Sequence, residues 1–376
     1  MKTLHGEFDF ELQKYLQNGS SVSYFELTQQ MSNGYVSERL REMSCYYSNR
    51  MSYEEVAQLV ERVSGAALLS DQGIWQMVNR KAVEVSEQVK ESVKATLKGE
   101  KRLPLVNPEV DLYDASSHEI LMFEDGIQVR EQKSKRVGRD QQKIELKEEK
   151  IEIATRPRVN TDIFLLEQAS GQFAYLSAMI DATGSETVSL AEVVQARFIE
   201  EYGTRETLLN VVMMGDGATN IRKRLLEIFG VAITVILDWY HLRKKVRELM
   251  SMIARNKDEK SLHVKSVLSK LWKGQVLSAI EYLQSKIQAK NAQKLADLIG
   301  YLQKHQSEII DYERRQKVGK RIGSGRVEKA VDQVIGHRQK QKGSSWRAQG
   351  SKSLAILKIL ELNGQWQQSW FSDEVA

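Results

Sequence analysis

Two short, almost wholly apolar runs, Leu208–Met214 and Val231–Leu237, flank an amphipathic stretch from Ala218 to Phe229 and constrain the fold most. Runs of this length without polar alternation suit strands buried on both faces. Gly215-Asp216-Gly217 closes the first strand and opens the helix, and the second ends at Asp238. Strand, helix and strand in this order predict a parallel pair covered by helices, and hence an α/β chain.

Upstream the pattern is extended. Glu119–Arg130 is apolar, with Asp125-Gly126 as a hairpin turn signal, and Lys143–Thr155 alternates charge with Ile and Leu. Thr161–Glu167 and Gln172–Ile180 add two further strands, followed by a helix at about Ser189–Tyr202. Downstream, Leu242–Ala254, Ser261–Trp272, Val276–Gln288 and Ala292–Arg315 carry apolar residues three or four apart and predict a helical block. Gly323-Ser324-Gly325 then feeds a helix over Arg326–Gly336, and Ser351–Asn363 makes another that must pack on something.

Residues 1–42 read as polar, mixed helix and loop. From Ser52 the signals sharpen: Ser52 with Glu55 forms a capping box, positions 56, 59, 60 and 63 are apolar, and Gly65 closes the helix. A second helix over Ser70–Arg80 follows a short turn and continues helical to residue 98. The pair reads either as a helix-turn-helix, with Trp75 and Arg80 available to DNA, or as an ordinary helical hairpin. Pro104 and Pro108 mark a linker.

The chain has 376 residues with 55 Lys+Arg against 50 Asp+Glu. That net charge says little, but its distribution says more. Eleven Lys/Arg between Arg314 and Arg347 face two acids, Glu328 and Asp332, which suggests a polyanionic partner. Apolar runs are too short to span a bilayer, and the N-terminus shows no basic-then-apolar leader pattern. The single cysteine, Cys45, excludes an internal disulfide and a Cys-based zinc site. No Walker spacing, Gly-x-Ser-x-Gly elbow or His-Glu-x-x-His occurs, so a nucleotide cofactor is not expected. The expectation is a soluble, cytoplasmic protein.

Three acids stand out by position. Asp125 lies at the end of the first strand, Asp216 at the end of a buried strand between two glycines, and Glu328 in a first helical turn. Ligands collect at the carboxyl ends of parallel strands. Carboxylates converging there need cations, and Mg²⁺ (or Mn²⁺) suits oxygen ligands beside a phosphate. Two such ions would stabilise the attacking and leaving oxygens of a phosphoryl displacement. Taken singly, each acid reads first as a turn residue or a helix cap, and only their combination beside the basic cluster points to metal-dependent phosphoryl transfer. Asp238 and His241, three apart at a strand-to-helix junction, either ligate metal or fix the junction. Trp346 could stack on a base or serve as core.

Phe123-Glu-Asp125-Gly126, Met214-Gly-Asp216-Gly-Ala218, Ile236-Leu-Asp238-Trp-Tyr-His241 and Gly323-Ser-Gly-Arg-Val-Glu328 together resemble the conserved blocks of DDE-type bacterial insertion-sequence transposases, a Mutator-related group. Arg338-Gln-Lys340 through Gly343 and Trp346 is similar to the block that follows their glutamate. The resemblance implies an RNase H-like mixed sheet with an all-helical insertion domain, preceded by an N-terminal helix-turn-helix-like domain. Its divisions would be 1–42, a polar segment; 43–98, DNA-binding helices; 99–116, a linker; 117–240 and 321–365, the catalytic core; 241–320, the insertion; and 366–376, a tail. Asp125, Asp216 and Glu328 would be catalytic and hold two divalent ions, Mg²⁺ or Mn²⁺. Asp238 and His241 would be accessory, with Asp238 a rival for the second aspartate. Arg321, Arg326, Lys329, Arg338, Lys340, Lys342, Trp346 and Arg347, with Trp75 and Arg80, would hold double-stranded DNA, both element ends and target. A homo-oligomer is expected, because two element ends must be paired, and no membrane is involved. A nuclease lacking strand transfer and a non-catalytic DNA-binding regulator are the alternatives.

Overall fold

A computed structural model describes all residues except 10, 18, 25–34, 133–156, 205 and 372–376. The expected strand at Lys143–Thr155 lies outside the described residues. A mixed five-stranded sheet organises the α/β core. Its strands are β1 (Ile120–Arg130), β2 (Arg158–Glu167), β3 (Phe173–Leu176), β4 (Val211–Gly215) and β5 (Thr234–Leu237). Spatial order is β5-β4-β1-β2-β3. β1, β4 and β5 run parallel, while β2 and β3 run antiparallel in the hairpin half.

Side chains alternate between two cores, as pleating requires. Leu121, Phe123, Ile163, Leu165, Val212 and Met214 face one core. Ile120, Met122, Phe164, Leu166, Val211 and Met213 face the other. The first core is closed by helices before and after the sheet in sequence. These include α3 (Asp71–Lys98), which follows α1 (Glu38–Ser48) and α2 (Tyr53–Ser64). The second is closed largely by α4 (Leu190–Tyr202) and α5 (Thr219–Phe229). Local sequence explains the helix ends. Ser52 and Glu55 form the reciprocal cap of α2, Ser189 and Glu192 that of α4, and Gly65 ends α2 at φ 77°.

Five helices follow β5: α6 (Trp239–Ile253), α7 (Lys257–Trp272), α8 (Val276–Lys286), α9 (Ala292–Lys304) and α10 (Tyr312–Lys317). α11 (Gly325–Val331) runs through a π-helical turn, Asp332–Gly336, into His337–Gln339. The last long helix, α12 (Ala348–Leu362), packs along α3, buries Leu354, Ile356, Leu357, Ile359 and Leu360 and ends at Asn363. The Asn363 side chain accepts from the Tyr175 N–H at 2.8 Å and donates to the Tyr175 carbonyl at 2.9 Å, on the edge strand β3.

Four expectations are corrected. Where residues 1–42 read as mixed helix and loop, the described residues up to 23 form two short antiparallel hairpins, Lys2–Thr3 with Gly6–Glu7 and Lys14–Gln17 with Ser20–Ser23, and α1 begins at Glu38. Asp125-Gly126 is no turn, since β1 runs straight through it and Gly126 pairs with Asp162. A Cβ on Gly126 would sit 2.7 Å from Asp162 Oδ1, so this glycine admits a close neighbour across the ladder. Gln172–Ile180 is broken into β3 and a separate two-residue strand, Met179–Ile180, paired with Glu186–Val188. The expected helix Ala292–Arg315 is interrupted after Lys304. There the Glu308 carbonyl accepts from the Leu237 N–H at 3.0 Å, and the Tyr312 hydroxyl donates to the Leu237 carbonyl at 2.6 Å. Tertiary bonds to the edge of β5 thus replace helical ones.

Candidate active site

β4 pairs with β1 in parallel, Met214 opposite Phe123. Continuing that register two residues brings Asp216 level with Asp125 on the same face of the sheet. β5 pairs Leu237 with Gly215, so the next residue, Asp238, stands beside Asp216. Three aspartates on adjacent strands thus share one level at the carboxyl ends of the parallel strands. α11 brings Glu328 over them, and the first turn of α6 brings His241.

The three aspartates differ in what holds them. Asp238 is fully buried and caps α6: its Oδ1 accepts the His241 N–H at 2.8 Å, and its Oδ2 accepts the Ser324 N–H. Burial would raise its carboxyl, but the bonds from His241 and Ser324 outweigh that and hold it below the usual range. Asp238 is therefore committed to locking the β5–α6 junction onto the Gly323-Ser324-Gly325 turn. Asp216 is exposed and, among the described residues, accepts the Ala218 N–H at 2.8 Å. Asp125 is half-buried and accepts its neighbour's N–H from Gly126, at 2.8 Å. Its carboxyl is pushed up by burial first, and further by the negative charges of Asp216 and Glu328. The Gly126 bond and the His241 charge oppose this.

His241 sits at the centre of these charges. Its Nδ1 lies 3.3 Å from Asp238 Oδ1, at an angle too poor for a good hydrogen bond, and its Nε2 lies 3.8 Å from Glu328 Oε1. Contact with Asp238 is the main reason that its imidazole is raised above 6.5; burial opposes, and the Asp238, Glu328 and Asp216 charges add. A raised folded-state value means that protonated His241 stabilises the fold fully below about pH 6.5. That contribution is lost as pH rises through the higher folded value. In chelator, the wild-type advantage in melting temperature over His241→Gln is therefore expected at pH 6 and should shrink by pH 9. An advantage constant across that range would refute the charge contact.

The support beneath Asp216 comes from residues distant in the chain. Gly217 has φ 83°, and a Cβ there would meet His305 Cε1 at 2.6 Å. His305 is 2% exposed and its Nδ1 lies 2.6 Å from Glu308 Oε2, while Glu308 also pairs with Arg222. His305 shares no ligand spacing with the other histidines, so its i,i+3 relation to Glu308 is the one signal of this role that the sequence carries. Tyr301, whose ring packs 4.7 Å from His305, has its hydroxyl held above its usual range by burial and then by Asp216. On the opposite face of β1, Arg224 of α5 pairs with buried Glu124, and with Asp162 at 3.1 Å. The helix after Asp216 is thereby pinned to the residue before Asp125.

The expected DNA-contacting residues divide into two groups. Arg321, Arg326, Lys329, Lys340, Lys342 and Arg347 are exposed, as is Arg80. Arg326 lies over the Phe173 ring at 4.5 Å. Arg338 and Trp346 are buried instead. Arg338 Nε donates to the Ser48 carbonyl at 2.9 Å and its guanidinium lies 4.8 Å from the Trp346 ring centre. The Trp346 indole N–H donates to the Gln339 carbonyl at 3.0 Å. Trp346 thus resolves to core, and Arg338 to a tie between α1 and the C-terminal block. Half-buried Trp75 packs near Gly350 of α12 and shares a cleft of about 480 Å³ with Arg338, Trp346 and Arg347. Two more members of the basic cluster, Arg315 and Lys320, are spent on buried Glu119.

Among the described residues, no three His, Cys, Asp or Glu side chains stand close enough together to enclose a metal ion. No helix among them is long and apolar enough to cross a membrane. Residues 187–372 match the profile of a family described as uncharacterised (UPF0236). The matched segment contains Asp216, Asp238, His241 and Glu328 and begins after Asp125. No curated protein matches the chain.

Proposed function

We propose that the chain is a DDE-type transposase with an RNase H-like core, cutting at the ends of its own element and joining them to target DNA. The observation that carries this reading is the convergence of Asp125, Asp216 and Glu328, from three separate elements, around His241. The sheet supports it: antiparallel hairpin strands, then parallel strands on the other side of β1, are the arrangement expected of such a core. So does the block of helices between β5 and the Glu328 helix.

The donor set suits Mg²⁺ or Mn²⁺. All three carboxylates offer hard oxygens, and a divalent cation would offset the burial, and then the charges of Asp216 and Glu328, that raise Asp125. Asp125, Asp216 and Glu328 would hold the ions, and Asp238 would not, because backbone N–H groups occupy both of its oxygens. When bound, two divalent cations supply an activated water and charge neutralisation at the phosphate. The chain's part is positional. β1 and β4 fix Asp125 and Asp216 side by side, and Asp238 orients His241. His241 Nε2 lies 3.8 Å from Glu328 Oε1, so a protonated His241 attracts that carboxylate across the site. Exposed Arg321, Arg326 and Lys329 flank Glu328 in sequence and would neutralise strand phosphates. The partners are double-stranded element ends and target DNA, with two protomers pairing the ends in the cytoplasm.

The test is Mn²⁺-dependent cleavage of DNA from the protein's own locus, beside Asp216→Asn. The expected result is cutting at the edges of an inverted repeat and joining of the freed 3′ end to a second DNA, both lost in the variant. Cutting without joining would make the chain a nuclease. Binding that ignores the metal and survives loss of Asp125 would make it a regulator. Cleavage retained by Asp216→Asn and lost by Asp238→Asn would reassign the second ligand.

A further inference from the structure

α6 leaves the site at its first turn, and its exposed side carries cations outward. Arg243, Lys244 and Arg247 continue the helix beyond His241, and Arg247, six residues on, lies about 9 Å along the axis from it. α7 packs back along α6. Between them lies an open groove of about 620 Å³ lined by Arg247, Lys257, Lys260 and Lys265, with Ser261, Val264 and Leu268.

No acid lines this groove, and none of its four cations makes an ion pair among the described residues. Other helical faces are different. Lys294 pairs with Asp297 at 2.8 Å on α9, and Lys90 with Glu87 at 2.9 Å on α3. Three acids adjoin these cations in sequence, Glu248, Asp258 and Glu259, and none pairs with them among the described residues; Glu259 Oε2 instead accepts the Arg255 N–H at 3.1 Å, at the entry of α7. Four unpaired cations on two packed helices repel one another, and a polyanion is what relieves that.

We propose that the α6–α7 groove is a second nucleic-acid surface, holding the phosphate backbone of a DNA duplex whose scissile bond lies at the carboxylates. The inference rests on the proposed activity for the direction of the duplex, and on the groove's own charge for the binding. Charge counted along the chain draws attention first to residues 314–347, because the cations of α6 and α7 are split between two helices with Glu248, Asp258 and Glu259 between them. Only the packing separates them. Val264 and Leu268 line the groove together with the four cations. A surface of this kind reads no base sequence, so it serves duplex of any sequence beyond the cut site.

The experiment measures affinity of the full chain for a duplex of about 40 base pairs by fluorescence anisotropy across a salt series, without divalent metal. Each phosphate contact contributes a slope of about 0.9 in log K against log salt, so Arg247→Gln/Lys260→Gln/Lys265→Gln is expected to flatten the slope by about 2.7. Affinity near 0.1 M salt should fall roughly tenfold or more, with the melting temperature not lowered, because removing mutually repelling surface charges costs the fold nothing. A control neutralises three exposed lysines elsewhere, Lys94, Lys98 and Lys101. An unchanged slope in the groove variant would overturn the proposal. So would an equal loss in the control, which would make the effect one of net charge, or groove-dependent binding to phosphatidylserine vesicles with none to DNA. If the wild type binds duplex through the groove but never cuts, the transposase reading falls and the groove stands. If it cuts normally and the groove variant binds with the wild-type slope, the groove falls alone.

Discussion

Replacing Asp125 with asparagine is expected to abolish metal-dependent DNA cleavage while raising the melting temperature of the metal-free protein at pH 7. Both effects come from one cause. Asp125 is half-buried beside Asp216 and Glu328, and burial followed by those like charges pushes its carboxyl up from the ordinary value. A group whose folded value is raised holds its proton more tightly in the native state, so its ionisation destabilises the fold above that value. The penalty is present at neutral pH and vanishes below the unfolded value near 3.8. Asparagine keeps the shape and removes the charge. The gain should therefore appear at pH 7, shrink toward pH 3, and be matched in the wild type by added Mg²⁺. Differential scanning fluorimetry with and without chelator checks it. An asparagine variant that melts lower than wild type at pH 7 would show that Asp125 is held by favourable bonds and is not a strained metal ligand.

The largest loss of stability is expected from Arg315→Met. Arg315 is wholly buried and makes a two-pronged bond to Glu119, at 3.0 and 2.5 Å. It also donates to the carbonyls of Arg321, at 2.6 Å, and Leu112, at 3.0 Å. Glu119 immediately precedes β1, so this one guanidinium joins α10 to the root of the strand that carries Asp125. Methionine would leave a buried carboxylate with Lys320 as its one remaining cation and two carbonyls unpaired. Breaking such a pair costs about 3–5 kcal/mol. Chemical denaturation would measure it, and the double variant with Glu119→Leu should recover part of the loss, since no charge is then stranded. A single variant as stable as wild type would mean that the ion pair is compensated by solvent.

How much of the fold is legible in the sequence depends on whether the cause is local. The unit from Val211 to Leu237 is legible because continuous apolar runs and a Gly-Asp-Gly turn leave few alternatives. The caps of α2 and α4 are legible for the same reason: Ser52 with Glu55, and Ser189 with Glu192, act within one turn. Asp125-Gly126 misleads because its turn propensity is real, whereas the glycine is demanded by Asp162 on another strand. The break between α9 and α10 is invisible because apolar spacing runs through it; bonds from residues 308 and 312 to Leu237 decide it. Charge and residue type alone group Arg338 and Trp346 with the DNA contacts, and only packing against Ser48, Tyr53 and Gln339 shows where they are buried. The candidate site is half legible. Its four acids and one histidine stand out by position, but the division of labour between Asp216 and Asp238 rests on two backbone N–H groups that belong to residues 3 and 86 positions away.

The amide of Asn363 does for β3 what a sixth strand would have done. By accepting from and donating to the backbone of Tyr175, it occupies the rung at which another extended chain would begin to pair. A sheet border left open is a template for strand addition and for aggregation as the chain emerges and folds. Here the stopper is a side chain at the end of a helix formed late in the sequence. Until α12 has docked, that border stays unguarded, so the docking of this one helix is what shields the sheet from self-association as the protein folds.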